Sequence, residues 1–232
     1  MCGRVVSLLT PELQKVIYEI TAPVSCEPRY NIAPTQMVPV VREDFSGNRQ
    51  LVSLRWGLIP PWAKDSTSGS RMFNARSETV HEKPAFRQAI RTRRCIVPLA
   101  GFYEWAMTGK TKTPHYISLK DGNPLSCAGI WESWDAPTGE TIASFSILTT
   151  RANSFMEQIH DRMPVILHQS EHRFWLDRQI TDPLALQRLY LPYPSELLQS
   201  WPVRNLVNAS QADGPQLIGP GDTQEMPLFR GQ

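Results

Sequence analysis

Apolar positions along this chain come in short runs, mostly spaced as strands, broken by proline, glycine and small polar residues. Arg4 to Leu9 reads as a short strand. Thr10-Pro11-Glu12 sets a helix start, with a hydroxyl at the cap and proline at the first helical position. Leu13, Val16, Ile17 and Ile20 fall on one face of that helix, and Ala22-Pro23 ends it. Tyr30 to Gln36 reads as a polar loop. Met37 to Val41 is β-branched but carries Pro39, which predicts an edge strand. Ser46-Gly47-Asn48 is a turn, and Leu51 to Leu58 returns to complete a hairpin.

Beyond a small polar stretch, Ser66 to Ser70, and a polar loop or strand end, Phe73 to Thr79, the pattern predicts a helix over Lys83 to Ile90. Cys95 to Leu99 is a buried-strand candidate. In Phe102-Tyr103-Glu104-Trp105 a strand puts Phe102 and Glu104 on one face and Tyr103 and Trp105 on the other. His115 to Leu119 and Leu125 to Trp131 read as strands around the turn Asp121-Gly122, and Thr141 to Thr149 as another. A short helix ends near Ile159, and Val165 to Leu167 is a strand. Ser170 to Leu176, with a serine cap, and Pro183 to Leu189 read as helices. Pro192 to Val203 is irregular, with Trp201 a core anchor. Residues 1–220 are expected to form one domain and residues 221–232 a flexible tail.

Composition adds limits. The 232 residues are 41% hydrophobic and 20% charged, as in a soluble globular protein. Twenty prolines and thirteen glycines favour turns and short strands over long helices. A net charge of +2 is too small to indicate nucleic acid by itself. No apolar run approaches the roughly 20 residues of a membrane helix. Val5 to Leu9 is shorter than a signal-peptide core of about 7–15 residues, so a cytoplasmic protein is expected. Cys2, Cys26, Cys95 and Cys127 lack zinc spacing, and Cys95 and Cys127 sit among apolar residues as small buried hydrophobes. Nothing in the sequence calls for a metal or an organic cofactor.

Chemistry concentrates at the amino terminus. A small residue after Met1 predicts removal of the methionine, which leaves Cys2 with a free amine and a thiol on adjacent carbons. That pair condenses with an aldehyde to an imine and closes a thiazolidine ring. The amine starts near a pKa of about 8 and the thiol near about 8.5. By position alone, Cys2 reads first as an ordinary residue that happens to follow the start. Other positions also carry two readings. Glu104, among aromatics, is a rim charge or a carboxylate poised for proton transfer. His160-Asp161-Arg162 is a surface triplet or a general acid–base group with its neighbours. Trp62, between prolines and a polar run, caps the hairpin or serves as a stacking platform for a base. Arg87, Arg91, Arg93 and Arg94 form the densest basic run, a solvated face or a phosphate grip.

Six blocks taken together narrow these choices: Met1-Cys2-Gly3-Arg4, Tyr30-Asn31-Ile32-Ala33-Pro34, Arg55-Trp56-Gly57-Leu58-Ile59-Pro60, Asn74-Ala75-Arg76-Ser77-Glu78, Gly101-Phe102-Tyr103-Glu104-Trp105 and His160-Asp161-Arg162-Met163-Pro164. In this order they resemble the SOS-response-associated peptidase family, the abasic-site processing proteins, over nearly the whole chain. The resemblance implies an α+β fold: one domain of twisted, mostly antiparallel sheets, partly barrel-like, with a few flanking helices. It implies single-stranded DNA carrying an abasic site as partner, bound near a junction with duplex, and a monomeric protein. It carries over Cys2, Asn74, Glu104 and His160 as the active constellation. Arg4, Arg76 and Arg162, with the loops at Asn31 and Pro34, become candidate phosphate contacts, and Trp62 a base-stacking wedge. Some members have a second aromatic after that tryptophan; here Ala63 stands there. The implied activity is a covalent crosslink through Cys2, with self-removal of Met1 and a weak lyase side path. Two other readings fit parts of the pattern: an amino-terminal nucleophile amidohydrolase acting in trans, and a single-strand DNA-binding module in which Cys2 is incidental.

Overall fold

A computed structural model of the chain describes residues 2–221, leaving aside the side chains of Thr108 and Pro183. The tail expected over 221–232 lies, Gly221 apart, outside the described residues. Twelve strands run in chain order: β1 (Val5–Ser7), β2 (Arg29–Ile32), β3 (Met37–Glu43), β4 (Arg49–Trp56), β5 (Asn74–Arg76), β6 (Arg94–Leu99), β7 (Gly101–Thr108), β8 (Thr111–Leu119), β9 (Leu125–Asp135), β10 (Thr141–Arg151), β11 (Arg162–Pro164) and β12 (Leu198–Pro202). Four short helices accompany them: α1 (Pro11–Val16), α2 (Ala89–Thr92), α3 (His172–Leu176) and α4 (Pro183–Gln187).

The strands form two sheets. One has five strands in the order β12-β8-β7-β1-β2. In the other, β10 pairs with both β4 and β9, which closes β10-β4-β3-β6-β9 into a five-stranded barrel. β5 and β11 add to β10. Pairing is antiparallel except where β10 meets β4 and β5. The expected α+β class, with mostly antiparallel, partly barrel-like sheets and few helices, is what the chain adopts.

Strand alternation sorts the core into layers. Val38 and Val40 of β3, Cys95 and Val97 of β6, and Phe145 and Ile147 of β10 pack on one barrel face against Val5, Phe102 and Ile117 of the other sheet. Val41, Ile96 and Leu148, of opposite parity, face the helices, where Trp175 and Leu186 cover them. The far face of the five-stranded sheet holds Val6, Tyr103 and Tyr116 under Val203 and Val207. Phe102 and Tyr103 therefore enter different cores, as alternation requires.

Several elements differ from the sequence expectation. The first helix stops at Val16, which is 66% exposed, and Gln14 is buried instead. Gln14 explains the shift: its amide both donates to and accepts from the backbone of Val24, tying the helix to the following loop. The polar loop expected at Tyr30 contains β2. The strand carrying Pro39 has two neighbours, but it meets β6 only at Val41, so Pro39 never needs a donor on that side. β8 and β9 flank their turn yet lie in different sheets, β8 pairing with β7 and β12 and β9 with β6 and β10. Ser66–Arg71 is a 3-10 helix capped by Asp65. The cap before α3 comes from His168 and Glu171, not Ser170. Lys83 to Ile90 is mostly turns ahead of the single helical turn α2. Residues 198–202, expected to be irregular, form β12, where Trp201 packs on Tyr116 and donates to the Ile218 carbonyl.

Candidate active site

The chain start is threaded into the seam between the two sheets. β1 pairs with β2 and β7, and the Tyr103 N–H donates to the Arg4 carbonyl at 2.9 Å, which continues the β7 pairing back toward residue 2. Cys2 lies in the core the sheets share, with 2% of its surface exposed. From the barrel side, β5 runs parallel to β10 with Asn74 beside Ile147. The Asn74 amide nitrogen donates to the Cys2 carbonyl at 2.8 Å. The Asn74 Oδ1 atom is buried with no hydrogen-bond partner among the described residues. An amide held by one end in this way offers an acceptor beside the Cys2 backbone.

Glu104 reaches the same place from β7 and is 5% exposed. Its Oε1 lies 3.9 Å from His160 Nε2. The opposite ring nitrogen, Nδ1, accepts from the Arg162 N–H at 3.0 Å and sits 2.8 Å from Asp161 Oδ1. Nδ1 thus has a partner for either protonation state: a donor for its lone pair in the neutral ring, and a carboxylate for its proton in the cation. With Nδ1 accepting, the ring proton is on Nε2 and faces Glu104. Burial pushes the Cys2 thiol well above its ordinary pKa, and nearby Cys127 and Glu104 push the same way. The thiol is therefore held in its protonated form, and Glu104 is near enough for its charge to bear on it.

The four residues expected to act together are brought together; the expected DNA contacts are not uniform. Trp62 is 61% exposed. Arg76 is exposed at the end of β5, and Pro34 is half-buried in the turn before β3. Arg4 donates from Nη1 to Asn31 Oδ1 and to the Val207 carbonyl, and burial lowers its pKa. Asn31 departs from the expectation. It is 1% exposed and its amide nitrogen serves the carbonyls of Val207, Ala209 and Ala212, so it holds the C-terminal segment in place and has no face for DNA. Arg162 departs too. It grips Glu78 through both terminal nitrogens, at 2.6 and 2.9 Å, and donates to Thr149, with 11% of its side chain exposed. The basic run also divides. Arg94 is buried, donating to the carbonyls of Ile90, Arg91, Trp175 and Asp177, and Arg93 pairs with Glu132.

Sequence reading gave no role to Arg151, which is exposed at the end of β10 opposite Arg162. Its signal was parity: it follows Ile147 and Thr149 at steps of two. No group of three or more His, Cys, Asp or Glu side chains that could hold a metal ion occurs among the described residues. Nor, among those residues, is any helix long and apolar enough to cross a membrane.

Comparison with known proteins places this arrangement. The chain is 46% identical over 192 residues to the abasic site processing protein YoqW of Bacillus subtilis (strain 168), covering 82% of this chain and 85% of that one. It is 32% identical over 222 residues to the abasic site processing protein HMCES of Xenopus tropicalis, covering 83% of this chain and 66% of that one. A crystal structure of a protein from Bacteroides thetaiotaomicron superposes with a TM-score of 0.82 at 28% identity, over 95% of this chain and all of the other. A phage-related protein from Bordetella bronchiseptica superposes with a TM-score of 0.71 at 30% identity, over 88% and 95% of the two chains. A family model for SOS response associated peptidases matches residues 1–210, and the chain belongs to that family.

Proposed function

We propose that this protein recognises abasic sites in single-stranded DNA and captures them covalently through Cys2, residues 1–220 acting as one domain. The observation that carries this reading is the meeting of Cys2, Asn74, Glu104 and His160 at the seam of the two sheets, in a chain whose relatives are named abasic site processing proteins. An abasic sugar is electrophilic only as its open aldehyde. His160, paired with Glu104, opens the ring by proton transfer. Once Met1 is removed, the Cys2 amine adds to the aldehyde and water leaves, giving an imine. The Asn74 acceptor orients that amine. The thiol then adds across the carbon–nitrogen double bond: sulfur bonds to carbon, and its proton passes to nitrogen. Glu104 is the carrier of that proton, because the buried thiol does not ionise by itself. The net loss is one water. An imine that loses its 3′ phosphate before ring closure accounts for weak lyase activity.

Trp62 serves as a stacking face and Arg4 and Arg76 as phosphate contacts, with binding near a junction of single strand and duplex. The protein acts in the cytoplasm, on the nucleoid. The amidohydrolase reading, in which the Cys2 thiol attacks an amide, predicts turnover of amide substrates and no stable DNA adduct. A plain DNA-binding module leaves the buried Glu104 beside His160 without a task.

The test is a denaturing gel of purified protein with single-stranded DNA carrying one abasic site. A heat-stable shifted band that vanishes with intact DNA and with Cys2→Ala is expected. A band that persists in Cys2→Ala refutes capture through Cys2.

A further inference from the structure

One polar side chain on the inner face of the five-stranded sheet has no part in the chemistry above. On β8, Ile117 and Leu119 enter the core that holds Cys2, whereas Tyr116 enters the far one. His115 shares the parity of Ile117 and so stands on the Cys2 side. The register puts it directly opposite Glu104 of β7. Direct cross-strand partners lie about 4.5–5.5 Å apart at Cβ, a span that a carboxylate and an imidazole can close. On the other flank of Glu104, the pairing of Val5 with Phe102 brings Gly3 alongside, which has no side chain to put there. The row across the sheet is Gly3, Glu104, His115 and Pro202.

Packing does not account for a histidine in this row. The Nδ1 atom of His115 is buried with no hydrogen-bond partner among the described residues, a cost that a phenyl or aliphatic side chain does not carry. An unmet lone pair costs less than an unmet N–H, so the ring proton belongs on Nε2, the nitrogen farther from the backbone. Burial lowers the pKa of the half-buried ring, which keeps it neutral at neutral pH. Of the charged groups around it, Glu104 faces it from β7. β12 presents Pro202, and exposed Arg204 follows just beyond that strand. His160 reaches Glu104 from the segment before β11, with Asp161 turned outward.

We propose that His115 is a positioning residue for Glu104: its Nε2–H donates to the carboxylate and holds it toward Cys2 during ring closure. The proton that leaves sulfur passes by way of Glu104 to the imine nitrogen, and His115 neither gains nor loses one. Glu104 is thereby steadied by two imidazoles, His160 and His115. The proposal rests on the capture reading above.

Single-turnover crosslinking at saturating abasic single-stranded DNA tests it, with affinity followed by fluorescence anisotropy. His115→Phe keeps a ring and removes the donor, whereas His115→Gln keeps a donor without the ring. His115→Phe should slow crosslinking about tenfold, the scale of one hydrogen bond to a charged group, while affinity stays within about twofold. His115→Gln should recover most of that loss, which a packing role does not allow. The unaltered rate in His115→Phe, a rate in His115→Gln as low as in His115→Phe, or a loss confined to affinity overturns the proposal. NMR of the ring nitrogens needs neither DNA nor a stable variant at 115. It should show His115 with its proton on Nε2, and Glu104→Gln should move that signal. A proton on Nδ1, or a signal indifferent to Glu104→Gln, overturns the pairing. If the unaltered protein forms no covalent product, the capture reading fails instead, and the NMR result still judges His115 against Glu104.

Discussion

At the scale of a residue, the account turns on where protons sit. Cys2 is nucleophilic by position and quiet by environment, because burial keeps its thiol protonated. Without DNA, Cys2 should therefore alkylate at least about tenfold more slowly than an exposed cysteine at pH 7.5, with a rate still rising at pH 9. Mass spectrometry of the Cys2 peptide after timed iodoacetamide pulses checks this, and a plateau near pH 8 contradicts it. His172 presents the same physics away from the site. It is 1% exposed, stacked on Tyr18, and its pKa is lowered to about 4, by burial first and Arg49 second, against a smaller opposing effect of the Ile17 backbone. A His pKa below its unfolded value of about 6.5 means the fold favours the neutral ring. The stabilisation is full above that value and is lost as pH falls toward about 4, at up to about 1.4 kcal/mol per unit. Urea unfolding at pH 7 and pH 5 should show the loss, and His172→Phe should flatten it.

Among elements, β10 does the most positioning. It carries β5 with Asn74 on one stretch and β11, just after His160, on the next. Arg162 ties β11 to the segment after β5 through Glu78, and its backbone N–H donates to His160 Nδ1, which suits it to positioning His160. Arg162→Lys keeps the charge and loses the two-pronged grip. It should slow crosslinking about tenfold through misplacement of His160 while DNA affinity stays within about twofold. Paired rate and binding measurements check this; a loss of affinity with an unchanged rate returns Arg162 to the role the sequence suggested. The sequence shows why the roles were hard to separate. An arginine in a conspicuous polar block looks the same whether it meets a phosphate or a carboxylate many residues away. Asn31 misled for the same reason, since its partners lie at Val207 and beyond. The alternation in Phe102 to Trp105 was legible because it is local, and it put Glu104 on the face of Phe102, which enters the core that also holds Cys2.

Across the whole molecule, the site exists because two sheets share one core and the chain start lies between them. The β-rich class and most of the longer strands followed from pattern and turn residues, whereas β2 and β12 did not. Sheet membership did not, because a turn such as Asp121-Gly122 joins strands of different sheets as readily as partners in a hairpin. The convergence of Cys2, Asn74, Glu104 and His160 was legible only as a resemblance, since no local rule brings together residues from four separate segments. The most direct measurement is the intact mass of protein incubated with abasic single-stranded DNA, without reductant, followed by peptide mapping. The account predicts a chain beginning at Cys2, an adduct equal to protein plus oligonucleotide less one water, and attachment at the Cys2 peptide. An adduct on a lysine that survives only after borohydride, or none on a chain confirmed to begin at Cys2, would contradict it.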